Sequence, residues 1–137
     1  MERMYSSVDE LKAYSGVLPQ DFGLEDEEGG DTAEEKLDSL LEGWLLQVKN
    51  FIDQDRGRDY DADTPPGISN ISLRMAANII AQAQMRRESP VVTVENFNIK
   101  LVYDRIFTTD IKEDLSRFPM KVRFKFSRVR RADEMEV

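Results

Sequence analysis

Between Asp31 and Gln54 the apolar side chains Leu37, Leu40, Leu41, Trp44, Leu45, Val48, Phe51 and Ile52 recur every three or four positions, forming one continuous stripe at the helical period. A stripe that broad demands a partner surface, and the chain supplies one next. Thr64-Pro65-Pro66-Gly67 stops the chain and redirects it, and Ile68, Ile71, Met75, Ile79 and Ile80 then lay out a second stripe over about 68 to 87. Ala76, Ala77, Ala81 and Ala83 are small enough to let another helix approach closely. The expectation is an antiparallel helix pair. Its first member is capped at Asp31 or Thr32, and its second is closed by Arg86 and Arg87 before Pro90.

Shorter elements flank this pair. Ser7 and Glu10 have capping-box spacing, with Val8, Leu11 and Tyr14 at helical intervals, so a first helix over about 6 to 15 ends near Gly16. The run Glu25-Asp26-Glu27-Glu28-Gly29-Gly30 opposes regular structure by charge repulsion and glycine entropy, predicting a flexible acidic loop over about 17 to 31. Past Pro90 the period changes to two: Val92 and Val94, then Phe97, Ile99, Leu101 and Tyr103, alternate with polar neighbours and predict a small β element over 91 to 103. Thr109 or Asp110, with Glu113, caps a short last helix carrying Ile111, Leu115 and Phe118 on one face and ending at Pro119. The expected class is α+β, mainly helical: one folded domain over 1 to 118 and an extended basic tail over 119 to 137.

Composition narrows the chemistry. The 137 residues contain no cysteine and no histidine, which removes disulfides, thiol nucleophiles, imidazole bases and nearly all zinc chemistry. No apolar run approaches a bilayer span, and Met1 to Tyr5 leads into a charged helix without an apolar leader, so neither a membrane association nor a secretory signal is expected. Asp53, Asp55, Asp59 and Asp61 recur like calcium ligands. However, Arg58 stands where a calcium loop needs glycine, and Thr64 where it needs glutamate, so a solvated loop is the better reading. Asp21-Phe22-Gly23 has none of the accompaniments of a kinase. Trp44 reads as core, and the pairs Glu34/Asp38 and Glu113/Asp114 read as solvated surface. No catalytic, cofactor or metal constellation is expected.

Charge is unevenly divided. Residues 1 to 66 hold 18 acidic and 6 basic side chains, giving −12, while 67 to 137 hold 9 and 13, giving +4. Such a division suits head-to-tail contacts between copies or two partners at two ends, and also arises by chance on a solvated surface. In the tail, Met120, Val122, Phe124 and Phe126 alternate with Lys121, Arg123 and Lys125, followed by Arg128, Arg130 and Arg131. This pattern could track a nucleic-acid backbone, but the protein's net charge of −8 weighs against that. A strand with one apolar face suits addition to another subunit's sheet, or equally the edge of the chain's own hairpin.

Three stretches resemble the head-tail connector, or adaptor, proteins of long-tailed bacteriophages and related archaeal tailed viruses. They are Tyr5-Ser6-Ser7-Val8-Asp9-Glu10-Leu11-Lys12-Ala13-Tyr14; the helix pair joined through Pro65-Pro66-Gly67-Ile68 and continued as Arg74-Met75-Ala76-Ala77-Asn78-Ile79-Ile80; and Phe107-Thr108-Thr109-Asp110-Ile111-Lys112-Glu113-Asp114-Leu115. The resemblance spans roughly 5 to 118. It implies a virion protein assembled in the host cytoplasm into a ring, generally of twelve copies, seated at the neck beneath the portal protein and above a tail-completion or stopper protein. DNA would touch it only in passing through the channel. The acidic loop and the very basic tail depart from the family pattern, which leaves open which segment meets the portal. Another neck or tail-completion protein, or a small acidic regulator binding a host factor or nucleic acid, are the alternatives.

Overall fold

A computed structural model describes residues 4–57, 60, 65–87 and 99–118. Its first helix, α1 (Val8–Ser15), begins at the anticipated capping box: Ser7 Oγ accepts from the Glu10 amide at 3.0 Å, and Glu10 Oε1 accepts from the Ser7 amide at 2.8 Å. Asp9 and Glu10 sit in the first turn and Lys12 in the last, each on the side the helix dipole favours. The helix stops at Gly16, where φ is +70°, a backbone state that costs glycine little. A 3₁₀ turn at Pro19–Phe22 follows, with Val17 and Phe22 buried. The acidic stretch beyond it carries turns: Gly30 donates to the Glu27 carbonyl, and the Glu27 amide to the Asp31 carbonyl.

The long helix α2 (Ala33–Arg56) starts at Thr32, which exchanges hydrogen bonds with Glu35 in a second capping box. Asp26, from the acidic stretch, accepts from the Ala33 amide at 2.6 Å and satisfies a further first-turn donor. At 24 residues α2 is about 36 Å long. α3 (Pro66–Arg87) opens on the expected proline, whose fixed φ and missing N–H suit a first turn. The end of α2 and the start of α3 lie together, because the segment before α1 touches both: Tyr5 reaches Asp53, and Ser6 Oγ donates to the Ser69 carbonyl at 2.8 Å. The 3₁₀ turn at Pro19–Phe22 packs against both helices. The anticipated stripes are the core: Leu37, Leu41, Leu45, Val48 and Ile52 of α2 face Ile68, Met75, Ala76 and Ile79 of α3, all fully buried.

No strand occurs among the described residues, which corrects the expectation of a β element over 91 to 103 for the part that is described. Residues 99–102 form a 3₁₀ turn (Ile99–Val102), followed directly by a helical turn, α4 (Tyr103–Ile106). The reason is in which side chains reach the core. Ile99, Val102 and Ile106 are all buried, a spacing of three and four that a helical path delivers to one side. The alternation of Ile99, Leu101 and Tyr103 was a coincidence of composition. Residues 91–98 lie outside the described set.

The last helix, α5 (Thr109–Leu115), has Thr108 at its N-cap position, one residue earlier than expected, with the hydroxyl bonded to Asp110 and not to a helix amide. Molecule-wide, the described part is mainly helical, with α1, α4 and α5 all packed on α3.

Candidate functional site

The tail side chains expected to meet a partner, Met120, Lys121, Val122, Arg123, Phe124, Lys125, Phe126, Arg128, Arg130 and Arg131, lie outside the described residues. What is described is the mount from which that segment departs. Arg56, in the last turn of α2 and 8% exposed, donates from Nη1 to the carbonyls of Leu115 at 3.3 Å and Phe118 at 3.2 Å. Helix ends leave carbonyls short of partners, and one nitrogen of the guanidinium meets two carbonyls here, that of Leu115 also accepting from the Phe118 amide. The Phe118 ring lies on Gly67, where an added Cβ would overlap it. The three residues after α5 are therefore clamped where α2 ends and α3 begins. The sequence held one sign of this, a glycine directly after the helix-opening Pro65-Pro66; nothing in it marked Arg56.

A second polar cluster ties the N-terminal segment to the same end of the molecule. Lys49 is 2% exposed, and its Nζ lies 2.8 Å from Asp53 Oδ2 and 5.2 Å from the centre of the Tyr5 ring. The Tyr5 hydroxyl donates to Asp53 and accepts from the Tyr60 amide at 2.8 Å, while the two tyrosine rings meet edge to face at 6.1 Å. A buried ammonium is tolerated only when paired and hydrogen-bonded, and here both conditions hold. Asp53, the first carboxylate of the calcium-like spacing, is thus already engaged by Lys49 and Tyr5. Among the described residues no group of three or more possible metal ligands comes together.

The carboxylates expected to be solvated do lie at the surface, and three of the four, Glu34, Asp38 and Asp114, also pair with cations of other helices. Lys12 of α1 pairs with both Glu34 and Asp38 of α2, and these two, Asp38 foremost, hold its ammonium above the ordinary lysine range. Arg74 of α3 pairs with Asp114 at 2.6 Å and Asp110 at 2.9 Å, and Asp114 above all raises its guanidinium. The Thr108 hydroxyl donates to Asp110 and lowers its carboxyl below the ordinary value, with Arg74 adding to the effect. Asn78 donates to the Ile106 carbonyl at 3.1 Å and joins α3 to the end of α4. Trp44 is core, as expected, edge to face with Phe22 at 5.6 Å.

No protein-family model, curated protein or solved structure matches this chain.

Recesses mark the surface formed by the described residues. One of about 690 Å³ lies between the acidic stretch and the start of α2, lined by Leu24, Glu27, Lys36 and Leu40, with Lys36 paired to Glu27 at 2.9 Å. A second, of about 490 Å³, is floored by Phe51 and Tyr103, which meet edge to face at 4.9 Å, and rimmed by Gln47, Asn50 and Gln54. Burial, reinforced by the charges of Asp55 and Asp104, pushes the Tyr103 hydroxyl above its ordinary value, and the Lys112 ammonium lies 5.9 Å from the centre of the same ring. The third, of about 320 Å³, is enclosed by Tyr14, Arg74, Ala77, Asn78 and Thr108, where α1, α3 and α5 meet. Their linings mix amides, aromatic edges and charged side chains, among them Glu25 and Asp31 in the first. Among the described residues no helix is long and apolar enough to cross a membrane.

Proposed function

We propose that this chain is a structural adaptor of a tailed virus, a non-enzymatic protein that forms a ring beneath the portal, joins head to tail and lets DNA pass through its centre. The observation that carries this is the mount of the basic tail. Arg56, Gly67 and Phe118 fix the chain where α2 and α3 meet, directly before residue 119. A helical body followed by a segment whose sequence alternates apolar and basic residues suits a joint between two large assemblies. The body stacks with its neighbours, and the extension reaches into a partner's sheet or groove. Uneven charge supports the same role. The acidic first half gives a DNA-facing channel that does not hold its cargo, and the basic tail steers toward an acidic partner.

Its partners in this role are the portal protein, a tail-completion or stopper protein, and further copies of itself, generally twelve. The chain works by surface complementarity, with no cofactor and no covalent step. Mixing the purified protein with the portal protein of the same genome, with and without residues 119–137, tests this. A defined complex that needs the tail is the expected result. A portal whose migration is unchanged by the full-length chain at any salt concentration rejects it.

A further inference from the structure

Both ends of the described chain are fastened to the same two helical turns. At the close of α2 the Gly57 amide donates to the Asp53 carbonyl, so Asp53 and Arg56 share its last turn. Gly67 and Ser69 share the first turn of α3. From the N-terminal side, the Tyr5 hydroxyl donates to Asp53, and Ser6 Oγ donates to the Ser69 carbonyl at 2.8 Å. From the C-terminal side, the carbonyls of Leu115 and Phe118 accept from Arg56, and the Phe118 ring covers Gly67. Each of the two turns therefore holds both ends of the chain.

The C-terminal contact holds a buried charge. Arg56 is 8% exposed, and its Nε lies 3.4 Å from Asp55 without making a hydrogen bond, so its acceptors are the carbonyls of Leu115 and Phe118. A buried cation that loses acceptors is unfavourable, and contact with water is the most direct relief. Arg56 reaches water when the turn it stands on frays, and a terminal turn frays readily because few bonds hold it. The same turn carries Asp53. Fraying takes away the carboxylate that Tyr5 grips, and the Tyr5 hydroxyl is in turn the acceptor of the Tyr60 amide at 2.8 Å.

Resting on the adaptor reading above, we propose that this junction is a clasp coupling the two ends of the chain: a partner that draws on the segment beyond Phe118 lifts its ring from Gly67 and thereby releases the strap formed by Tyr5 and Ser6. In the clasped state Tyr5 is 4% and Tyr60 1% exposed. Release uncovers both rings, an aromatic surface offered only by a copy that has already engaged a partner. The coupling is reciprocal, as linkage between two sites must be, so loosening the strap also loosens Phe118. It runs through the charge of Arg56, which sets it apart from mere proximity.

Hydrogen exchange of the Tyr60 amide reads the strap in the full-length chain. Phe118→Ala is expected to speed it about tenfold or more, with the amide of Ile79, in the buried middle of α3, unchanged. Phe118→Leu, a milder change, gives a smaller shift of the same sign. Arg117→Ala, at a side chain 79% exposed, moves neither amide. Relative to Ile79, Tyr5→Phe speeds exchange of the Phe118 amide, which donates to the Leu115 carbonyl at 3.0 Å. Adding Arg56→Met to Phe118→Ala removes the buried charge and returns the Tyr60 amide toward the parent rate. A Tyr60 amide that keeps its parent rate in Phe118→Ala overturns the clasp, as does a rise shared equally by Ile79, which marks loosening of the whole domain. With the portal protein added, the Tyr60 amide of the bound full-length chain exchanges as fast as in free Phe118→Ala; a bound chain that keeps the parent rate overturns release by engagement. A chain whose ends are coupled in isolation but which never binds the portal keeps the clasp and loses the adaptor role.

Discussion

Replacing Tyr5 by Phe removes one oxygen and leaves the ring, so it isolates what the hydroxyl does. In the folded chain that oxygen donates to Asp53 and accepts from the buried Tyr60 amide at 2.8 Å. Loss of a hydrogen bond to a charged group costs about 1.5–3 kcal/mol, and a buried amide left without an acceptor about 1–3 kcal/mol. Asp53 retains Lys49 at 2.8 Å, and its side chain is 21% exposed, so water recovers part of the first cost. The expected loss is therefore about 3 kcal/mol, a large share of the ~5–15 kcal/mol that holds a domain together. With a urea slope of about 2 kcal/mol/M, the unfolding midpoint falls by roughly 1.5 M. Tyr14→Phe, at an exposed ring, serves as the control and shifts stability by less than ~0.5 kcal/mol. A Tyr5→Phe protein that unfolds within ~0.5 kcal/mol of the parent refutes the claim that this network latches the N-terminal segment onto α2.

Arg56→Met keeps the apolar stem and deletes the clamp on Leu115 and Phe118. The contacts are long, 3.3 and 3.2 Å, so the cost is about 1–3 kcal/mol, and hydrogen exchange of the Ser116–Phe118 amides rises well before that of α2. Thr108→Ala removes the largest cause of the depressed Asp110 carboxyl, and its NMR titration midpoint moves up toward 3.8. The sign follows from linkage: a lowered folded-state pKa contributes stability that is present above about 3.8 and lost as the pH falls through the folded value, so Thr108→Ala flattens that acid limb. An Asp110 midpoint that does not respond to Thr108→Ala contradicts the assignment.

What the sequence revealed divides along physical lines. Signals carried by neighbours in the chain were legible. The capping box that opens α1, the cap of α2 at Thr32 (one of the two candidates), the glycine stop at Gly16 and the two long apolar stripes are local, and each is where periodicity and cap chemistry put it. The segment at 99–103 misled because it is only five residues long, too short for alternation to be told from helical spacing; the burial of Val102 beside Ile99 decided for the helix. The pairings that organise the surface were invisible for a different reason. Tyr5 and Asp53 are 48 residues apart, Arg56 and Leu115 59, and Arg74 and Asp114 40, so no spacing rule connects them. Glu34, Asp38 and Asp114 lie at the surface, as expected, but gave no sign of their ion pairs because the cationic partners stand on other helices. Apolar patterning thus gave the helices, while the polar contacts that brace them required the fold.

The most direct test of the adaptor role is the native mass of the portal assembly after addition of the full-length chain. A ring of twelve copies of 15.8 kDa adds about 190 kDa as a single step, with no partly filled species persisting at saturation, and removal of 119–137 abolishes the step. A portal whose mass stays unchanged in the presence of excess chain contradicts the account.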